Sequence, residues 1–234
     1  MRGFLWIFAL FCAAFFCACG GAKSHYARLS LPQDIKILPA IKKSYALNDR
    51  AYKKKFFAPW HFKGKRLDER TAFWAFEGYL RGDYYFFNKQ KIPLNFFKKA
   101  IANANSEALL SLKQKAIITQ NTLLKNLPTQ TAILKEPFKE GEGVPFDYAL
   151  DSALNFGSPV LISHFTRDGR FAFVLSEAGW GFVEALHLQS LTDSQASHYE
   201  SLNFITPLRE RLAVQNERGE FVFEARVGGI YAYS

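Results

Sequence analysis

Apolar and polar positions divide this chain into stretches of different period. Residues 4–19 are apolar without a break, lying between Arg2 and the next charge, Lys23. Residues 31–66 contain Pro32, Pro39 and Pro59 and no sustained helical spacing, so they read as an extended arm around the body. Over 68–80 the spacing turns helical. Phe73, Phe76 and Leu80 share a face with Trp74 beside them, Asp68 stands where a helix is capped, and Gly82 stops the run. A second helix is predicted over 93–104, with Phe96, Phe97 and Ile101 on one side.

From residue 116 the period shortens toward two. AIITQNTLLKNLPTQTAIL (116–134) reads as a strand, a turn at 126–128 and a second strand. Gly141 and Gly143 then mark a loop, and Pro145 suits the first position of a short helix through Leu150. PVLISHFT (159–166), FAFVLS (171–176) and WGFVEAL (180–186) read as three strands. Asp168-Gly169 supplies the positive φ of a tight hairpin between the first two. Such a meander is the core of an SH3-like barrel. Residues 192–201 read as helix, and 203–234 as further strands with a turn at 216–219.

Charge and cysteine usage narrow the setting. The apolar run at 4–19 is shorter than the ~20 residues that span a bilayer, and with its basic start it reads as an export signal. All three cysteines, Cys12, Cys17 and Cys19, lie inside it. Small residues flank Cys19 in the manner of a bacterial lipobox, which makes that thiol the candidate lipid-attachment site. Ordinary cleavage after Ala18, giving a soluble periplasmic protein, is the alternative. The body has no cysteine, which excludes thiol catalysis, disulfides and thiolate metal sites within it. A formal charge of +9 fits a solvated basic surface or attraction to anionic lipid or wall polymer. No nucleic-acid recognition motif accompanies it.

Five segments carry a resemblance. FFAPWH (56–61), AIITQNTLLKNLPT (116–129), GEGVPFDYALDSAL (141–154), SPVLISHFTRDGRFAFV (158–174) and GWGFV (179–183) are similar, in this order, to the non-catalytic N-terminal region of bacterial NlpC-type cell-wall peptidases. The resemblance implies an α+β chain: a helical and extended N-terminal region, a small SH3-like β-barrel and an incomplete second SH3-like unit. The implied divisions are a signal peptide at 1–18 and a linker at 19–30. A stabilising region at 31–135 follows, then an SH3-like domain at 136–191 and a partial second one at 202–234. The family's peptidase domain needs a cysteine nucleophile, a histidine base and a polar residue to orient it. No cysteine follows Cys19, so the resemblance implies a chain without the catalytic domain. The implied setting is the periplasmic side of a bacterial envelope, lipid-anchored at the outer membrane. Peptidoglycan stem peptides are the implied partner. The alternative is one half of a split endopeptidase whose catalytic domain is a separate chain.

Other chemistry has little support. The five histidines form no HxH or HxxxH pair, so no metal site or cofactor is expected. Ser163 and His164, as strand neighbours, are expected on opposite faces and unable to act together. Asp147 and Asp151, four apart, are expected on one helix face as capping or solvated groups. The candidate ligand contacts are Arg167, Asp168 and Arg170 at the hairpin tip and Trp180 and Phe182 on the third strand. The aromatics are weighed against core packing, and Trp60 reads as an anchor for the arm.

Overall fold

The computed structural model describes residues 49–64 and 67–233. The expected signal, linker and Cys19 lie outside the described residues. Among those described, no helix is long and apolar enough to cross a membrane.

The arm is helical where it is described. Helix α1 (Asp49–Phe56) leads into a 3-10 turn (Ala58–His61). Its polar, lysine-rich face stays in solvent, while Phe56, Phe57 and Trp60 are buried against Tyr199 and Phe204. The extended reading of 49–61 is therefore corrected: one apolar turn at the end of a short basic helix leaves no long helical period to detect. Trp60 does anchor this segment. Its indole N–H donates to the carbonyls of Ala116 at 3.1 Å and Val160 at 3.0 Å.

The helix expected over 68–80 is broken into α2 (Glu69–Ala72) and α3 (Phe76–Arg81). Asp68 caps the first, its carboxylate accepting from the Thr71 amide at 3.0 Å. The break lets Phe73 and Phe76 stack 5.0 Å apart on one side while Trp74 turns to solvent. Helix α4 (Leu94–Asn103) matches the second predicted helix, between Pro93 and Ala104.

The centre is a seven-stranded antiparallel sheet ordered β3-β2-β6-β5-β4-β1-β7. Its strands are β1 (Gln114–Ile118), β2 (Thr122–Lys125), β3 (Leu150–Leu154), β4 (Pro159–Phe165), β5 (Phe171–Ser176), β6 (Gly179–Glu184) and β7 (Leu188–Ser190). The turn predicted at 126–128 lies instead at 119–121, and no strand follows at 129–134. The helix predicted from Pro145 is absent: Val144–Pro145 is cis, turns run to 149, and Leu150 opens β3. The three-residue link from β1 to β2 joins strands far apart in the order, so the sheet curls back toward itself. Its outermost strands, β3 and β7, are not paired with each other. At Gly181 the crossing is close, since a Cβ there would lie 2.8 Å from Leu124 and 3.0 Å from the Lys125 carbonyl.

Both faces of this sheet are covered. Ala116, Ile118, Val160, Ile162, Val174 and Val183 fill the aliphatic side. Phe171, Phe173 and Phe182 fill the other, against Phe73, Ala72 and Ala104 of the helical region. A third cluster joins α3 and α4 to Leu127, Ile133 and Ala149. Helix α5 (Asp193–Ser201) begins with a capping box of Thr192 and Gln195. After it come two small ladders, β8 (Asn203–Ile205) with β11 (Tyr231–Tyr233), and β9 (Arg211–Gln215) with β10 (Phe221–Arg226).

Candidate functional site

The hairpin between β4 and β5 forms as the sequence predicts, with Gly169 at φ 70° in its turn. Its tip is committed to the protein itself. The Arg167 side chain donates to the Ala102 carbonyl at 2.9 Å, at the end of α4, and also pairs with Glu107. A cation on the last carbonyls of a helix is favourably placed. Asp168 accepts from the Thr166 hydroxyl at 2.7 Å and the Arg170 amide at 3.0 Å. Burial opposes its ionisation, but these bonds outweigh it and hold the carboxyl below its ordinary range. Phe182 is 1% exposed inside the aromatic cluster. Trp180 is half-buried, stacked on Phe173 and met edge-on by Phe62. Of the five predicted contacts, Arg170 is the one left open. It lines a shallow depression of about 260 Å³ with Gln130, Glu184 and Leu186.

Ser163 and His164 do touch, which corrects the sequence argument. A bulge in β4 between Ile162 and His164 breaks the strict alternation and brings Ser163 Oγ to 2.9 Å from His164 Nδ1. The Ala104 carbonyl, 3.0 Å from Nε2, can only accept, so Nε2 carries the proton and Nδ1 accepts from the serine hydroxyl. Ser163 Oγ in turn accepts from the Leu110 amide at 2.7 Å. Both side chains are buried, so the chain of bonds fastens β4 to the 104–110 segment and reaches no substrate. Burial lowers the His164 pKa, against an opposing effect of the Ala104 hydrogen bond.

A polar cleft lies where the α2–α3 break meets β2 and β3. Its volume is about 440 Å³, and Trp74, Lys135, Phe146, Tyr148 and Asp151 line it with Asn126 at its base. The base is fixed from below. Tyr79 donates to Asn126 Oδ1 at 2.6 Å, and Asn126 Nδ2 donates to Asp151 Oδ1 at 2.9 Å. Burial raises the Tyr79 pKa, so it remains a donor across the ordinary pH range. Asp147 also lines the cleft, but it accepts from the Ile133 and Ala149 amides and is paired with Lys125 Nζ at 3.0 Å. Lys125 also donates to the Thr131 carbonyl at 3.0 Å. Asp147 is therefore fully used, whereas Asp151 Oδ2 receives no hydrogen bond from a described residue. Desolvation by the cleft walls pushes the Asp151 carboxyl above its ordinary range, partly offset by the Asn126 bond.

The sequence reading considered Asp147 and Asp151 only as a helical pair and missed the rest of this cleft. The available signal was Trp74, a large aromatic off the helical stripe that Phe73 and Phe76 define. Among the described residues no group of three or more His, Cys, Asp or Glu side chains is arranged to hold a metal.

Comparison with known proteins bears on the assignment. Residues 8–109 match the NLPC_P60 stabilising domain, N term. Residues 133–184 match an SH3 domain of SH3b1 type, and 193–234 match an SH3 domain of SH3b2 type. These regions follow the order that the sequence motifs imply. Among solved structures, an NlpC/P60 endopeptidase from Photobacterium damselae subsp. piscicida is similar, with a TM-score of 0.71 at 16% identity. The match covers 80% of this chain and 45% of that one, so the chain spans under half of that enzyme's length. At that identity the likeness is one of fold. No curated protein matches the chain.

Proposed function

Because this chain carries the N-terminal stabilising domain and SH3-type domains of the NlpC/P60 family, we propose that it is a non-catalytic envelope protein that holds peptidoglycan stem peptides. The reading rests on the cleft at Asp151. A stem peptide carries free amino and carboxyl groups along an amide backbone. Asp151 Oδ2 is an open acceptor for an amine, and Lys135 at the rim is a donor for a carboxylate. Arg170, beside the neighbouring depression, is a second cationic contact within the same SH3-type region. No cysteine follows Cys19, so a peptide bound here meets no thiol nucleophile of these residues. An acyl anchor on Cys19, after removal of residues 1–18, would keep the protein at the outer membrane facing the wall. Several acyl chains, at ~0.8 kcal/mol per buried methylene, hold such an anchor firmly.

Retention on insoluble peptidoglycan tests the proposal. The purified chain should be retained above a control protein of equal positive charge, and a soluble stem peptide should release it. Asp151→Asn should weaken retention. Retention equal to that of the control removes the binding role.

A second reading is favoured by the C-terminal strands, where Leu208, Phe221, Val222 and Val227 are exposed. These side chains would seat a separately encoded catalytic domain, making the pair a split peptidoglycan endopeptidase. Co-elution with an NlpC-type catalytic domain, and muropeptide cleavage needing both chains, would support it. Cleavage unaffected by this chain would exclude it.

A further inference from the structure

The cleft holds more aromatic surface than a peptide's charged groups use. Trp74 is 58% exposed although Phe73 and Ala75 on either side of it are buried. The break between α2 and α3 aims it outward. It makes no ring contact or hydrogen bond with a described residue, so one indole face and the N–H are free. Phe146, 57% exposed, lines the same cleft and is equally without a ring partner among the described residues. Tyr148 differs: the Lys135 ammonium lies 5.6 Å from its ring centroid, so a cation already occupies that ring. Exposed aromatic surface grouped in a cleft of this size is the mark of a ligand site rather than of scattered surface apolar residues.

We propose that Trp74 and Phe146 form a stacking platform for a pyranose ring of the wall's amino-sugar strand, with Asp151 and the indole N–H taking its hydroxyl and amide groups. This rests on the wall-binding reading of the same cleft and adds the sugar to it. A pyranose presents a face of C–H groups and a rim of hydroxyls. The C–H face matches the negative π-face of an indole, which carries a quadrupole. The hydroxyl rim needs acceptors and donors held in fixed positions. Asp151 is fixed through Asn126 and Tyr79, so its free oxygen is preorganised in the cleft. An extended peptide offers no comparably broad apolar face.

Tryptophan emission reads this directly. Trp60 is buried and Trp180 half-buried, so Trp74 is the tryptophan of the folded body most open to a ligand. Titration of the full chain with a β-1,4-linked N-acetylglucosamine tetrasaccharide should shift the emission saturably. By calorimetry, since the substitution removes the reporting indole, Trp74→Ala should weaken tetrasaccharide binding by about tenfold, as loss of one good aromatic contact does, while Trp74→Tyr retains most of it. In a parallel arm, a soluble stem peptide should bind wild type and Trp74→Ala alike by calorimetry. Peptide binding without any saturable sugar response overturns the platform and leaves the wall-binding reading standing. Absence of both responses overturns both. Sugar binding by Trp74→Ala equal to wild type also overturns the platform.

Discussion

Two strands of this protein begin alike and end in different surroundings. β5 reads FAFVLS and β10 reads FVFEAR, each with phenylalanines two apart. In β5 both phenylalanines are buried in a cluster with Phe73 of the helical region and Phe182 of β6, whose rings both lie 4.9 Å from that of Phe173. In β10 Phe221 is 65% exposed, and the ring contacts of Phe223 among the described residues are with Phe156 and Tyr231. Alternation makes a strand, but its burial is set by what is laid across each face. The first sheet closes one face on its own aliphatic side chains and carries aromatic rings of the helical region on the other. The C-terminal ladders leave Phe221, Val222 and Tyr233 exposed.

The largest test of this contrast is truncation in the covered sheet. Phe173→Ala should cost about 3–5 kcal/mol, because the rings around it cannot collapse into the space. Urea titration measures the loss, and a cost near zero would mean that the aromatic layer is not packed as described. Next is the tie between arm and sheet. Trp60→Phe keeps an aromatic side chain, though a smaller one, but strips the N–H from the Ala116 and Val160 carbonyls, and should cost about 1–3 kcal/mol. Recovery of full stability in that variant would reduce the arm to a hydrophobic contact.

A smaller effect lies in pH. The His164 pKa is lowered in the folded state, so above the ordinary value of ~6.5 neither state holds the proton and stability is complete. As pH falls below that value the unfolded chain takes up the proton first, and stability declines until the folded histidine protonates as well. The urea midpoint should therefore drop between pH 7 and 5.5, with a shallower drop in His164→Gln. Equal slopes would place the pH dependence elsewhere. At the small end, Phe221→Ala should change stability by less than about 0.5 kcal/mol, as exposed positions do. Amides of β9 and β10 should exchange faster than those of β4 and β5, and equal protection would remove the contrast between the two regions.

The site was less legible than the sheet. FAFVLS and PVLISHF carry their strands in β-branched and aromatic runs around an Asp-Gly turn, all of it local. Trp180 and Phe182 carry no sign of which partner covers them. Phe73, a hundred or more residues earlier, supplies the cover for Phe173 and Phe182. Ser163 and His164 show the same limit, since alternation predicts them apart and a single bulge joins them.

The sequence by itself determined the strands of the meander, the helices at 94–103 and 193–201 and the order of the wall-peptidase regions. These follow from spacing, capping chemistry and turn residues, which act between near neighbours. Only the tertiary structure decided that Arg167 is spent on the end of α4, that Asp147 is spent on Lys125, and that Asp151 and Trp74 face a common cleft. Those outcomes depend on which distant segment arrives at each face, and desolvation and hydrogen bonding are settled only by that arrival.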